Sequence, residues 1–335
     1  MMLSLLLAVL LGSWILTFLM MRYALAKKMI DVPNERSSHT TPTPRGGGVA
    51  IVVAFNLALP CLSLLNVLSL NALYGLWGAG IAVAVIGFAD DHGHIPARWR
   101  LLGHFSAASW ALYWMNGFAP LTIYDAPVDL GVMGTLLGMF YLVWLLNLYN
   151  FMDGIDGLAS IEAITTCFGL ALVYWCSGYL DQVWLALLLA ASVLGFLYWN
   201  FSPARIFMGD AGSGFLGVSL AVIILYGAWL SPELFWSGLI LLGAFIVDAT
   251  WTLIVRLVNG EKVHVAHSNH AYQHAARYFA SHKLVTLGVI SINIVWLLPL
   301  SLMVGLKMLS GIVGLMIAYI PICILVWKFK GGRPA

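Results

Sequence analysis

The chain is 335 residues long, 61% apolar and only 9% charged, with 16 basic and 14 acidic residues for a net charge of +2. Soluble domains carry about 25% charged residues, so this composition excludes a water-soluble protein, a disordered chain and a coiled coil. It also excludes a nucleic-acid binder, which needs a basic surface to neutralise phosphates.

A membrane-spanning helix takes about 20 mostly apolar residues. Such runs occur at 3–22, 47–68, 71–89, 101–118, 130–148, 158–178, 182–201, 212–230, 234–257, 284–305 and 308–328. They predict an all-α, polytopic membrane helical bundle of about 11 transmembrane helices, a single domain over 1–335. The first run ends near Ala24-Leu25-Ala26, which resembles a signal-peptidase site. No basic residue precedes it and its apolar stretch exceeds an h-region, so a retained helix is expected. The four cysteines (Cys61, Cys167, Cys176, Cys323) stand singly in apolar runs, as small core or lipid-facing side chains.

The positive-inside rule sets orientation. With the N-terminus outside and the C-terminus cytoplasmic, every one of the 16 Lys and Arg residues except Lys307 falls on the cytoplasmic side. Acidic residues do not obey that rule, yet most of them sit at the same face, and so do all 9 histidines. A polar site on the cytoplasmic face explains both. The loops that would build it are 23–46, 90–100, 149–157, 202–211 and 258–283.

The first of these loops holds Arg36, His39 and Arg45 among prolines and closes on Gly46-Gly47-Gly48. Its cations suit phosphate through charge-assisted hydrogen bonds, or anionic lipid head groups. Asp90 and Asp91 end the third run, where the negative end of the helix dipole makes paired carboxylates favour a cation; a solvated helix cap is the alternative. Asn147, Asn150, Asp153, Gly154, Asp156 and Gly157 crowd the mouth of the fifth run. So dense a polar cluster beside an apolar bundle points to function rather than packing.

Phe207-Met-Gly209-Asp210-Ala-Gly212-Ser213-Gly214 opens the eighth run. A glycine-rich turn at a helix N-terminus is an anion site, with Asp210 as a metal ligand and Phe207 as a stacking surface for a base; Asp210 as a simple N-cap is the alternative. The last inner segment carries His264, His267, His270, His274 and His282. His267 and His270 are spaced to share a helix face and to contact phosphate or sugar hydroxyls, whereas His264, His274 and His282 read as interfacial. Glu162 is placed near the cytoplasmic interface. Asp248 lies inside an apolar run and reads either as a functional residue or as a partner for a neighbouring helix.

Together these motifs resemble the polyprenyl-phosphate N-acetylhexosamine-1-phosphate transferases. The resemblance implies transfer of a sugar-1-phosphate from UDP-N-acetylhexosamine to undecaprenyl phosphate, releasing UMP, at the bacterial inner membrane. It implies Mg²⁺ as cofactor, with Mn²⁺ as the alternative, held by Asp210 and Asn150. Asp90, Asp91 and Asp156 are the implied catalytic residues. Substrate contacts fall to Arg36, His39, Arg45, Arg100, Asn147, Asp153, Gly154, Phe207, His267 and His270. The implied partners are the two substrates, the lipid bilayer and a second copy in a homodimer, with no nucleic acid. The Ala266-His267-Ser268-Asn269-His270 motif resembles the branch that starts O-antigen rather than the peptidoglycan enzyme. The peptidoglycan reaction and a membrane transporter are the alternatives, and direct attack and an aspartyl intermediate both stay open.

Overall fold

A computed structural model describes residues 1–33, 39, 41–93, 95–123, 126–262 and 267–334. Arg36 and His264 lie outside the described residues. The chain folds into a helical bundle, as its composition requires of a segment that must satisfy its backbone without water. The helices, in order, are α1 (Met2–Ala26), α2 (Val49–Leu64), α3 (Leu70–His92), α4 (Ala97–Trp114), α5 (Gly131–Phe151), α6 (Leu158–Cys176) and α7 (Leu180–Asn200). They continue as α8 (Asp210–Ala228), α9 (Pro232–Leu241), α10 (Gly243–Val258), α11 (Ala271–Phe279), α12 (His282–Ile292), α13 (Leu298–Gly305) and α14 (Gly311–Lys328). A π-helical turn, Asn293–Leu297, joins α12 to α13 ahead of Pro299. Two small antiparallel ribbons complete the fold: β1 (Ile30–Asp31) with β2 (Thr43–Pro44), and β3 (Leu121–Ile123) with β4 (Ala126–Val128).

Each of the predicted runs is helical, but the number of spans is lower by length and composition. Among the described residues, 8 helices or joined helices are long and apolar enough to cross a membrane, and 9 if the bent pair α9–α10 is one span. The predicted run 234–257 is that pair, bent by 72° at Leu242. Gly243 at the bend packs against Tyr319 and Leu297, a contact no local pattern announces. The run 47–68 shrinks to the 16 residues of α2, which is below spanning length.

α8 is the hub. Its apolar stretch is 94% buried, against 17% for α1 at the periphery. Small residues along α8 (Gly212, Gly214, Gly217) let α2, α3 and α5 approach its backbone. The ends of α3, α5, α7 and α10 and the starts of α2, α4, α6, α8 and α12 then meet at one end of the bundle.

Two intramembrane acids are structural. Asp248 of α10 accepts the N–H groups of Ala271 and Tyr272, each at 2.9 Å, and the Thr252 hydroxyl at 3.2 Å. It thus caps α11 from outside the helix and lies 3.4 Å from His270 Nδ1, which decides between the two sequence alternatives in favour of pairing. Replacing Asp248 by Ala strands two first-turn N–H groups. The expected loss is about 2–3 kcal/mol, read as a lowered melting temperature in detergent, with a smaller loss for Asp248→Asn because the amide oxygen still caps. Glu162, expected near the interface, is instead fully buried and accepts the Asn293 side-chain amide at 2.6 Å, tying α6 to the π-turn.

Candidate active site

The converging helix ends enclose a cavity of about 440 Å³. Its walls come from every predicted inner loop. The β1–β2 ribbon folds the first loop back, placing His39 and Arg45 at the rim. Phe207 N–H then bonds to the Pro44 carbonyl, and Gly47 and Gly48 N–H bond to the Phe207 and Met208 carbonyls. This extended pairing fixes the approach to α8. The turn 153–157 between α5 and α6 supplies Asp153, Gly154 and Asp156, and α5 supplies Asn150. Asp91, Phe207, Asp210 and His267 complete the predicted set lining the cavity.

Four predicted residues lie elsewhere. Asp90 accepts the Ile95 N–H at 2.7 Å and pairs with Arg100. Arg100 also reaches Asp210 at 3.2 Å, so its guanidinium already bridges two carboxylates. Asn147 donates back to the Val143 carbonyl within α5 and faces a second cavity of about 20 Å³ behind Asp210. His270 is buried, stacked on His267 with ring centroids 5.0 Å apart and held by Asp248.

The start of α8 departs from expectation. Its Asp210 and Ala211 N–H groups do point at an anion, but that anion is the Asp91 carboxylate, at 3.3 and 3.4 Å. The predicted phosphate cradle is filled by a side chain from α3. Arg45 holds the same corner, donating to the Asp91 carbonyl at 2.7 Å.

Carboxylates crowd this cavity. Burial, with Asp210, Asp91 and Asp156 close by, pushes the Asp153 carboxyl well above the usual range. Asp156 moves the other way: burial alone would raise it, but hydrogen bonds from His282, the Ala204 N–H at 3.1 Å and the Ser202 hydroxyl outweigh burial and hold it low. Burial, then the neighbouring His270 and Arg256, pushes His267 down to about 3, so it is a neutral imidazole near pH 7. Phe207 meets His39 edge-to-face with centroids 4.8 Å apart, forming an aromatic wall of the kind that takes a planar base.

Among the described residues, no three His, Cys, Asp or Glu side chains converge as a metal cage requires. Asp210 and Asn150 are in hydrogen-bond contact, and Asn150 also donates to the Ser213 hydroxyl at 3.0 Å. A carboxylate beside an amide, in a site with excess negative charge, matches Mg²⁺, which takes one or two protein oxygens and completes its shell with water and phosphate. It does not match zinc, which wants four closed ligands.

His282, read as interfacial, lines the cavity with its Nδ1 3.3 Å from Asp156 Oδ1. Gln273 and Asn200 line it too, brought in by helix packing with no motif to mark them.

A family model for glycosyl transferase family 4 matches residues 73–228, from α3 through α8 and so across three of the cavity-forming loops. The chain is 29% identical over 289 residues to a probable undecaprenyl-phosphate N-acetylglucosaminyl 1-phosphate transferase of Bacillus subtilis (strain 168), covering 84% of this chain and 79% of that protein. Over residues 73–228 the chain is similar to glycosyl transferase family 4. Similarity extends to a phospho-N-acetylmuramoyl-pentapeptide-transferase of Streptococcus pneumoniae (strain CGSP14), 33% identical over 210 residues. That match covers 58% of this chain and 61% of the relative. The chain joins an apolar helical bundle to a polar cavity at one end.

Proposed function

We propose that this protein transfers N-acetylhexosamine-1-phosphate from a UDP-sugar to undecaprenyl phosphate, releasing UMP, and that the lipid-linked product starts O-antigen or a related surface polysaccharide. The basic-residue asymmetry supports a cavity that opens on the cytoplasmic face of the bacterial inner membrane. The observation that carries the proposal is the cavity itself: an aromatic wall for a base, a carboxylate–amide pair for a divalent cation, and a lipid-level setting.

In the overall transfer, by either route, the sugar-bearing phosphorus loses its bond to the oxygen bridging to UMP and gains one to an oxygen of the acceptor phosphate. Both reactants are anionic, so their approach in low dielectric is costly. Mg²⁺ held by Asp210 and Asn150 would supply charge neutralisation at the transferring phosphoryl group. Arg45, anchored on Asp91, adds fixed positive charge at the rim, and Phe207 gives the uracil ring a stacking face. Asp156, held ionised, accepts hydrogen bonds from the nucleoside.

Purified protein in nanodiscs, given undecaprenyl phosphate, Mg²⁺ and a panel of UDP-N-acetylhexosamines, is expected to release UMP from at least one donor and form a lipid-linked diphosphate sugar. Release of UDP instead would show transfer of the sugar alone and overturn the proposal. The preferred donor names the sugar.

A further inference from the structure

We propose that His282, on the first turn of α12, is a positioning residue that aims the Asp156 carboxylate at the nucleoside of the donor; this rests on the transferase reading above. Asp156 sits on the turn between α5 and α6, where a carboxylate repels phosphate and binds N–H or O–H donors, as uracil and ribose present. Its usefulness depends on its being held ionised and correctly turned.

The structure constrains it from two sides. The 202–204 turn supplies the Ala204 N–H to Oδ2 at 3.1 Å. α12 supplies the rest: His282 Nδ1 lies 3.3 Å from Oδ1 and the Thr286 hydroxyl donates to the Asp156 carbonyl at 3.1 Å. His282 and Thr286 are four residues apart on a helix and so share one face, which clasps both the backbone and the side chain of one residue. Nδ1 also lies 3.5 Å from the Asp156 N–H. It cannot serve both groups at once, and the shorter contact to an anion makes it the donor to the carboxylate.

α12 is itself pinned. Ser281 caps its start, accepting the Leu284 N–H at 3.3 Å. At its far end Asn293 donates to Glu162 at 2.6 Å and to Thr165 at 2.8 Å, both on α6. The helix therefore touches α6 deep in the bundle and the turn preceding α6 at the cavity. A rigid brace of this kind fits a role in orientation. His282 is also at the cavity wall, so the pair faces the ligand.

The test compares His282→Ala, His282→Asn and His282→Gln in two assays: calorimetric binding of UDP to the purified protein, and steady-state UMP release. The Asn amide nitrogen overlies Nδ1, whereas the Gln amide reaches the position of Nε2. His282→Ala is expected to weaken UDP binding and raise KM for the UDP-sugar by roughly tenfold, with kcat and KM for undecaprenyl phosphate changed less than about threefold. His282→Asn should recover most of that loss and His282→Gln little. Unchanged UDP affinity in His282→Ala, equal behaviour of the Asn and Gln variants, or parallel losses for both substrates would overturn the proposal. Wild-type protein that binds UDP with this pattern but releases no UMP would defeat the transferase reading alone. Wild-type protein that fails to bind UDP would defeat the role of His282.

Discussion

Asp210→Ala is expected to reduce UMP release by about 10²–10³-fold or more while leaving the folded protein intact. Asp210 and Asn150 are the residues shared by the large cavity and the small one behind it, so they stand on the wall between two chambers. Asp210 is also the first residue of α8, the most deeply buried helix, which would normally make its loss a stability question. The capping geometry removes that concern: the N–H groups of this turn are satisfied by Asp91, and Asp210 caps nothing. Its side chain is 37% exposed, and its Arg100 partner keeps Asp90 when Asp210 is removed. A partly exposed pair of this kind contributes about 1 kcal/mol or less. Activity and stability should therefore separate. The measurements are UMP release, Mn²⁺ binding as a probe of the cation site, and the melting temperature in detergent. A near-normal rate removes Asp210 from the metal site, and an unfolded variant makes it structural. Asp210→Asn keeps the shape and loses the charge, and is expected to fall almost as far.

Much of the bundle was legible because lipid imposes a simple rule: a spanning segment must be long and apolar, and run length alone reports that. The bend at Leu242 escaped because it has no proline within it, and the residues that pack on Gly243 there, Tyr319 and Leu297, come from other helices. The site was legible as a set of loops, since polar residues at the mouth of an apolar bundle need a reason to be there. Which polar group serves which was not legible. Both the Asp91 carboxylate and the anion-seeking start of α8 are visible in the sequence. They are more than 100 residues apart, and only packing shows that one satisfies the other. His282 and Asp248 follow the same logic. Each was a single polar residue whose meaning lay in a partner from a distant helix, Asp156 for one and the start of α11 for the other.

That dependence on close packing is strongest at Gly87, where a single methyl group is expected to lower activity by about 10²-fold. A Cβ at this position of α3 would lie 2.5 Å from the Asp210 carbonyl carbon and oxygen and from the Ala211 nitrogen. All three are backbone atoms of the first turn of α8, so no side chain can swing aside. Ordinary contact needs about 1 Å more, and α3 and α8 pack together over much of their length. The strain must then move the turn that carries Asp210 or part the two helices. Overpacking of this kind costs about 1–3 kcal/mol, and a misplacement near 1 Å in a reacting group costs about 10²-fold in rate. Gly48→Ala meets the same turn from α2, with its Cβ too close to Gly212, and should behave alike. Gly93, just beyond the end of α3, has nothing within 4 Å of an added Cβ, and its φ of −161° suits any residue. Gly93→Ala is therefore the control, expected to keep wild-type rate and melting temperature. Equal activity in Gly87→Ala and Gly93→Ala would show that the spacing of α3 and α8 does not set the position of Asp210.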